Sequence, residues 1–208
     1  MSRYTGPVCR LCRREGLKLF LKGTKCTTPK CPVEKRGFPP GQHGQARIKM
    51  SNYGLQLREK QKVKRMYGMR ERQFRFFFSK AQKVKGVTGE KLLELLERRI
   101  DNVVYRIGWA SSRSESRQMV LHGWVRVNDK KVDAPAYQVR PGDRVAILAS
   151  EAAAKKVKAT LELTKDRTPP SWITIDQAAM SGTITRLPAK SDVGMPLQES
   201  LIVELYSK

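Results

Sequence analysis

The sequence predicts an α+β protein built from three parts: a cysteine-rich N-terminal arm, a mainly helical basic lobe, and a small α/β module in which two helices pack on a short antiparallel sheet. Three observations predict these parts. All four cysteines of the 208-residue chain lie within its first 31 residues. Apolar residues recur at helical spacing in stretches up to residue 107. Alternating apolar and polar residues with turn signals follow, as is typical of hairpins.

The segment 47–85 is strongly basic and predicts two helices. It holds thirteen Lys or Arg residues and only two acids. Gly68 separates a helix over about 51–66 from a second over about 70–84. The second helix contains three consecutive phenylalanines at 76–78, and such a run must mostly be buried. We therefore expect the aromatic block to be core rather than a platform for stacking nucleic-acid bases.

Two further helices are predicted in the middle of the chain. The first opens at Thr88, which can act as an N-cap, and runs to a stop at Gly108. Its apolar residues recur at helical spacing and are Leu92, Leu93, Leu95, Leu96, Ile100, Val103, Val104 and Ile107. The second, shorter helix covers 114–121, begins at Ser114 and is closed by Gly123.

The remaining elements are short strands and one more helix. Alternation over 124–127 and a turn at 128–131 predict a hairpin that ends on Val132. A turn at 140–143 leads into a strand over 145–148. The Ala- and Lys-rich stretch 150–166 predicts a helix that ends before two prolines. Strand-like runs then follow at 172–175, 183–186 and 201–206.

The charge of the chain points to a polyanionic partner. Lys and Arg number 42 against 19 Asp and Glu, which gives a formal net charge of +23. So large an excess destabilises a compact fold by self-repulsion, and a phosphate backbone is the partner that best accounts for it. No run approaches the roughly 20 apolar residues of a membrane span, and the N-terminus lacks a signal-peptide pattern. We therefore expect a nucleic-acid-binding protein in the cytosol, with no membrane partner.

The four cysteines form two closely spaced pairs that predict a metal centre. Cys9 and Cys12 make a C-x-x-C knuckle, and Cys26 and Cys31 have four residues between them. In a reducing compartment such pairs favour metal ligation over disulfides, and four thiolates suit one structural zinc ion. An iron–sulfur cluster is the alternative, because four thiolates also suit it. Four free thiols in a basic arm are the remaining possibility.

The densest polar constellation lies at residues 111–118. Ser114, followed by Arg117 and Gln118, has the pattern of a helix N-terminus whose free N–H groups would suit a phosphate, with Arg113 nearby. A capped helix with solvated charges is the alternative explanation of the same residues. His43 is more simply a surface residue or an RNA contact than a fifth metal ligand.

Several segments resemble one known family. The stretch LERRIDNVVYRIGWASSRSESRQMVLHGWVRVNDKKVDAPAYQVRPGDRVAI (96–147) resembles the small RNA-binding module of the small-subunit ribosomal protein four family. SNYGLQLREKQKVKRMYG (51–68), the ending from SGTITRLP to LIVELYSK, and the four-cysteine arm found in one bacterial branch are similar too. The resemblance thus covers nearly the whole chain. The combination of these segments makes it specific, because the module alone also occurs in other RNA-binding proteins.

The resemblance implies a structural constituent of the small ribosomal subunit with no catalysis. A family member binds small-subunit ribosomal RNA directly at a multi-helix junction and nucleates assembly of the subunit body. It also lies beside protein five of the small subunit, near the channel through which messenger RNA enters, and influences translational accuracy. Such a junction is read through shape and phosphate positions. The resemblance therefore implies ribosomal RNA, neighbouring ribosomal proteins and messenger RNA as partners.

The resemblance also carries over candidate residues. The positions that match the module's motif are Arg98, Arg99, Asp101, Ser111, Arg113, Ser114, Arg117, Gln118, His122, Gly123, Asn128, Lys130, Lys131 and Arg144. Arg99 and Asp101 can equally pair with each other and serve architecture. Glu115 departs from the expected small apolar residue and would weaken RNA attraction locally. The candidate phosphate contacts in the basic segment are Arg47, Lys49, Arg58, Lys62, Lys64 and Arg65.

These expectations divide the chain into three regions. Residues 1–45 form the metal-binding arm, 46–97 with 165–208 the helical basic lobe and C-terminal strands, and 98–160 the RNA-binding module. An RNA-modifying enzyme using the same module, such as a pseudouridine synthase, would need a large catalytic domain with an acidic nucleophile, for which the chain offers no candidate. A DNA-binding factor would need a regular finger repeat. A non-ribosomal RNA-binding protein is the other alternative.

Overall fold

The computed structural model describes residues 4–46, 49–148, 151–165 and 167–207. The chain divides into two compact units. The first comprises Met1–Leu92 with Met195–Lys208, and the second comprises Leu93–Gly194. The second unit is thus inserted between two stretches of the first. No helix in the described ranges is long and apolar enough to cross a membrane.

The first unit is helical. Its helices are α1 (Cys9–Glu15), α2 (Pro32–Lys35), α3 (Asn52–Met66), α4 (Glu71–Gln82) and, after the insertion, α9 (Glu199–Tyr206); α5 (Thr88–Glu97) begins in this unit. The predicted helices over 51–66 and 70–84 are confirmed as α3 and α4. Ser51 caps α3, because its hydroxyl accepts a hydrogen bond from the Gly54 N–H at 3.1 Å.

The aromatic residues of α4 form the core of this unit. Phe74, Phe77 and Phe78 are buried, and the Tyr206 ring of α9 lies with its centroid 4.5 Å from that of Phe78. The prediction that the aromatic block is core is confirmed for these side chains. Phe76 differs, because 55% of it is exposed.

The run 201–206 is a helix, so its prediction as a strand was wrong. It lies within α9, which packs along α3 and buries Ile202 completely. A short continuous apolar run does not distinguish a strand from a helix by periodicity. The packing of this segment on α3 decides in favour of the helix.

The second unit is α/β and contains α6 (Ile100–Ile107), α7 (Arg113–Leu121) and α8 (Glu151–Leu163). The predicted helix from 88 to 107 is interrupted, because Arg99 takes an extended conformation (φ −65°, ψ 135°) and forms a β-bridge with Gln138. The N–H of Val139 donates to the carbonyl of Arg98 at 3.0 Å, which adds a second backbone link at the break. This long-range pairing, which sequence periodicity does not report, separates α5 from α6.

The sheet of this unit has five antiparallel strands in the order β2-β1-β3-β5-β4. They are β1 (Val125–Val127), β2 (Lys130–Val132), β3 (Arg144–Ile147), β4 (Ile173–Asp176) and β5 (Ser181–Ile184). The predicted hairpin and three of the predicted strands are therefore confirmed. The assignment of 172–186 to the helical lobe was wrong, because β5 pairs with β3 and extends the sheet of the module.

Helices and sheet share one apolar core. Trp109 and Trp172 are almost completely buried in it. Its other members include Ile100, Val103, Val104 and Ile107 from α6, Met119 and Val120 from α7, and Val125, Val127 and Val145 from the sheet. Burial of these side chains holds α6 and α7 on one face of the sheet and leaves the other residues of each strand on the opposite face.

The β1–β2 turn has a backbone that few residues tolerate. Asn128 and Asp129 have φ values of 48° and 65°, the left-handed pair that a two-residue type I′ hairpin requires. The Asn128 side chain donates to Asp143 at 2.8 Å and accepts from the Arg144 N–H at 2.9 Å. Asn128 therefore fixes the position of β3 beside the hairpin.

Candidate nucleic-acid interface

The outer face of the three-stranded part of the sheet carries closely spaced cations. In β1, Val125 and Val127 are buried whereas Arg126 between them is exposed. Arg126 lies directly opposite Lys131 of β2, and Arg144 of β3 is also exposed. Like charges opposite each other in an antiparallel pair are destabilising unless an anion offsets them. This face is therefore suited to phosphate.

Arg126 was missed in the sequence prediction. The alternation Val-Arg-Val was available, and it places the arginine on the face opposite the core. Lys130 is exposed on the edge strand β2. The Lys131 stem lies over Gly123, because a Cβ added at that glycine would overlap it. Gly123 has a φ of +70°, a left-handed conformation that favours glycine, and it follows the exposed His122. Lys131 and His122 are thus brought to the same edge of the module.

The N-terminus of α7 begins one residue earlier than predicted. Ser112, not Ser114, is the N-cap, and its hydroxyl accepts from the Glu115 N–H at 3.3 Å. The Glu115 carboxylate accepts from the N–H and the hydroxyl of Ser111 at 2.8 and 2.6 Å. Burial opposes ionisation of Glu115, but these hydrogen bonds prevail and lower its pKa. Ser111 is thus held internally, whereas Ser114 and Gln118 are exposed.

Other predicted RNA-binding side chains of the module are buried or bound to internal partners. Arg99 is fully buried and donates to Asp101, which also accepts from Arg117 at 3.2 Å. Arg98 is only 18% exposed at its side chain and donates to the carbonyl of Val139 at 2.9 Å. This placement matches the architectural alternative for Arg99 and Asp101. It leaves the exposed edge, not the buried pair, available to a ligand.

Two arginines lie against the ring of Tyr105 near the N-terminus of α7. The guanidinium carbons of Arg113 and Arg167 each lie 4.4 Å from the centroid of its ring. Arg113 also donates to the side-chain oxygen of Asn102 at 2.9 Å, and Arg167 donates to backbone carbonyls of 105, 110 and 111. No local pattern in the sequence indicates this role of Arg167, because its partners lie more than 50 residues away.

In the first unit, the four predicted contacts on α3 take part in ion pairs. Arg58 and Arg65 both contact the buried carboxylate of Glu15, and burial raises the pKa of that carboxyl against the opposing effect of the two arginines. Lys62 pairs with Glu59 at 2.6 Å, and Lys64 pairs with Glu71 at 2.8 Å. The exposed fractions of the four side chains are between 13% and 24%. They remain candidate contacts that must compete with internal partners.

The remaining candidates of the basic segment lie just before α3. Lys49 is exposed. Arg47 lies outside the residues that the structure describes.

The four cysteines of the arm line one pocket. Cys12, Cys26 and Cys31 are buried, Cys9 is partly buried, and none is in a disulfide. Burial raises the thiol pKa of Cys12 and Cys26. Lys18, Lys22 and Lys25 line the same pocket and would offset the charge of thiolates. As placed, no group of three or more His, Cys, Asp or Glu in the described ranges could hold a metal ion. The four thiols are therefore of the right chemical type for a four-thiolate metal centre, but the positions of the described side chains do not form a metal-binding geometry.

Comparison with known proteins gives matches over the whole chain. Residues 3–97 match the family model described as Ribosomal protein S4/S9 N-terminal domain, and residues 98–145 match the S4 domain model. The chain is 57% identical over 208 residues to the small ribosomal subunit protein uS4 of Thermodesulfovibrio yellowstonii, with 100% of both chains covered. It is 53% identical to the protein of the same name from Thermoanaerobacter sp. and 55% identical to uS4A of Symbiobacterium thermophilum, again with 100% of both chains covered.

Proposed function

Because the chain belongs to the ribosomal protein S4 family, we propose that its exposed cations hold the RNA of the small ribosomal subunit. The protein is a structural constituent of that subunit, binds its RNA, and acts in translation on the ribosome in the cytoplasm. It is not an enzyme. Membership rests on identities of 53–57% over the full chain and on two family models that together span residues 3–145.

The cationic outer face of the module is the single observation that carries the RNA-binding proposal. Arg126, Lys131 and Arg144 are exposed on neighbouring strands, and the buried core behind them fixes their spacing. Rigid strands hold positive charges in place at little further entropic cost, so they suit a fixed arrangement of phosphates. The remaining solvent-facing candidates are Lys49, Ser114, Gln118, His122, Asn128 and Lys130.

We infer that the RNA site is a junction of several helices rather than one duplex. Exposed cations occur in both units, and a net charge of +23 exceeds what a single short helix contact requires. Such a protein would read shape and phosphate position and would organise the body of the subunit during assembly. Contacts with protein five of the small subunit, with messenger RNA near its channel, and an influence on accuracy are part of the same proposal.

The arm is proposed to hold one structural metal centre. The support is chemical: four thiols line one pocket, and three lysines line it too. Zinc bound by four thiolates would supply folding energy to a segment with few apolar residues of its own. An iron–sulfur cluster is the alternative centre on the same ligands. Cys9, Cys12, Cys26 and Cys31 are the residues that would hold either one.

The test is salt-dependent binding of the full chain to the isolated junction domain of small-subunit ribosomal RNA. A continuous duplex of equal length serves as competitor. We expect binding that the duplex displaces poorly and that weakens linearly with the logarithm of salt concentration. Displacement by the duplex at equal concentration would show that the chain recognises charge alone, and the junction proposal would fail.

A further inference from the structure

The outward face of α4 is a second cationic surface, made of residues other than those of the module's sheet face. Helical spacing brings residues three and four apart onto one face. The face contains six exposed residues, of which the last is the C-cap of the helix: Arg72, Arg75, Phe76, Ser79, Lys80 and Lys83. Four of the six are cations and none is an acid. From 72 to 83 the face is about 16 Å long at 1.5 Å per residue.

Phe76 is the unusual member of this face. It is 55% exposed, whereas its chain neighbour Phe77 is 3% exposed. The opposite side of α4 buries Phe74, Phe77 and Phe78, and Phe76 is not part of that core. The ammonium of Lys80 lies 4.6 Å from the centroid of Phe76, and this cation–π contact keeps a positive charge against the ring.

We propose that the outward face of α4 binds a single-stranded or bulged segment of RNA, with an unpaired base stacked on Phe76 and the cations on flanking phosphates. Proteins bind unpaired nucleic acid by this combination of a cationic track and an exposed aromatic ring. A continuous duplex keeps its bases inside and offers Phe76 nothing to stack on. The inference rests on the proposed function and adds a class of RNA structure that the module's sheet face does not require.

An acidic protein is the other ligand that cations and an exposed ring could attract. The observations favour RNA, because the chain belongs to a family of ribosomal proteins and the ring lies among cations rather than in an apolar patch. The residues around Phe76 on this face are polar or charged, so it offers little of the apolar area on which a stable protein–protein interface depends.

The test compares three substitutions of Phe76 in the full chain. Phe76→Ala and Phe76→Leu remove the aromatic face, and Phe76→Trp keeps it. Stacking is worth about 1–3 kcal/mol per base, which corresponds to about a 5- to 150-fold loss of affinity. We expect Ala and Leu to weaken binding to the junction RNA within that range, with Trp close to wild type. The slope of log K against log salt should stay unchanged, because no charge is lost.

Matched controls separate stacking from general effects. Leu55 is 45% exposed in the same unit, and Leu55→Ala should leave RNA affinity within about twofold. Arg72→Gln with Lys83→Gln should lower the salt slope by about 0.7 per lost single-strand contact. Phe76→Ala should also weaken binding of the chain to a single-stranded oligonucleotide, and it should leave the affinity for a continuous duplex unchanged.

Four outcomes would overturn the inference. Wild-type affinity in Phe76→Leu would show that only apolar area matters, which is the behaviour of a protein contact. Wild-type affinity in all three variants would show that no base stacks there. If the unaltered chain does not bind the junction RNA, both the proposed function and this inference fail. If wild type and Phe76→Ala bind it with equal affinity, only this inference fails.

Discussion

Arg99 donates two parallel hydrogen bonds to Asp101, from Nε to Oδ1 at 3.0 Å and from Nη2 to Oδ2 at 2.5 Å. The guanidinium is fully buried and the carboxylate side chain is 7% exposed. The pair closes the break between α5 and α6, where the backbone of Arg99 bridges to Gln138. A charged motif that in sequence resembles a binding site is therefore part of the architecture of the module.

Removing one member of this pair should destabilise the second unit. Asp101→Ala leaves Arg99 buried without its carboxylate, and we expect the free energy of unfolding to fall by about 3–5 kcal/mol. Urea unfolding followed by fluorescence of the buried Trp109 and Trp172 measures this change. Glu94→Ala is the matched control, because the Arg98–Glu94 pair is partly exposed and should contribute less than about 1 kcal/mol. Equal effects of the two substitutions would contradict a structural role for Arg99.

Glu71 should make the stability of the first unit depend on acid pH. Burial opposes its ionisation, but hydrogen bonds from Lys60, Lys64 and Tyr206 lower its pKa from 4.5 to about 2. A lowered pKa in the folded state means that the carboxylate stabilises the fold above pH 4.5 and that this contribution is lost as the pH falls toward 2.

The matched variant for this prediction is Glu71→Gln. Because 46% of the Glu71 side chain is exposed, solvent screens the pairs and the expected cost near neutral pH is only about 1 kcal/mol. Urea midpoints of wild type and Glu71→Gln, measured between pH 2 and 7, should differ above pH 4.5 and converge toward pH 2. A difference that stays constant over this range would show that the charge of Glu71 is not responsible.

The metal centre of the arm gives a prediction that elemental analysis can check. The purified chain should hold about one zinc ion, or iron with acid-labile sulfide in the alternative case. Cys12→Ser and Cys26→Ser should each lose the metal and lower the unfolding temperature of the first unit, because binding energy of such sites is folding energy. Thr24→Ala in the same segment should keep the metal. If the purified wild type holds no metal and the two Cys→Ser variants unfold at the same temperature as wild type, the four thiols are plain core residues.

Charge substitutions on the two units should separate RNA contacts from internal ion pairs. Arg126→Gln with Lys131→Gln should lower the salt slope by about 0.7–0.9 per phosphate contact and change stability by less than about 0.5 kcal/mol per site, since both residues are exposed. Arg58→Gln takes a cation from the buried Glu15 and should cost about 1.5–3 kcal/mol of stability.

The salt slope of Arg58→Gln then decides the role of α3. A lowered slope would mean that Arg58 reaches phosphate in the complex despite its pairing with Glu15. An unchanged slope would mean that it only holds α1 against α3. An unchanged slope for Arg126→Gln with Lys131→Gln would contradict the sheet-face proposal.

Local signals in the sequence predicted most helices and strands correctly. The basic helices α3 and α4, the hairpin with its Asn-Asp turn, and strands β3 to β5 all follow from periodicity and turn residues. The errors lie where distant parts of the chain decide the conformation. The bridge between Arg99 and Gln138 breaks one helix, and packing on α3 makes 201–206 helical.

The candidate site divides in the same way. Residue type and alternation identify Lys130, Lys131 and Arg144 as exposed cations, and they would have identified Arg126. Composition cannot tell which arginines are buried. The conformation of Arg99 depends on its bridge to Gln138, and the pairing of Arg117 with Asp101 depends on how α6 and α7 pack. For the same reason it did not distinguish the exposed Phe76 from its buried neighbours.

The insertion of residues 93–194 into the first unit has a consequence for the order in which the chain folds during synthesis. All strands of the sheet and helices α6 to α8 precede α9 in the chain, so they leave the ribosome before it does. The helix α9, which packs on α3, follows the second unit in the chain, so Tyr206 can cover Phe74 and Phe78 only after that unit has been made. The nascent chain thus passes through a state in which the apolar side of a highly cationic segment is still uncovered, and such exposed apolar surface is prone to aggregation.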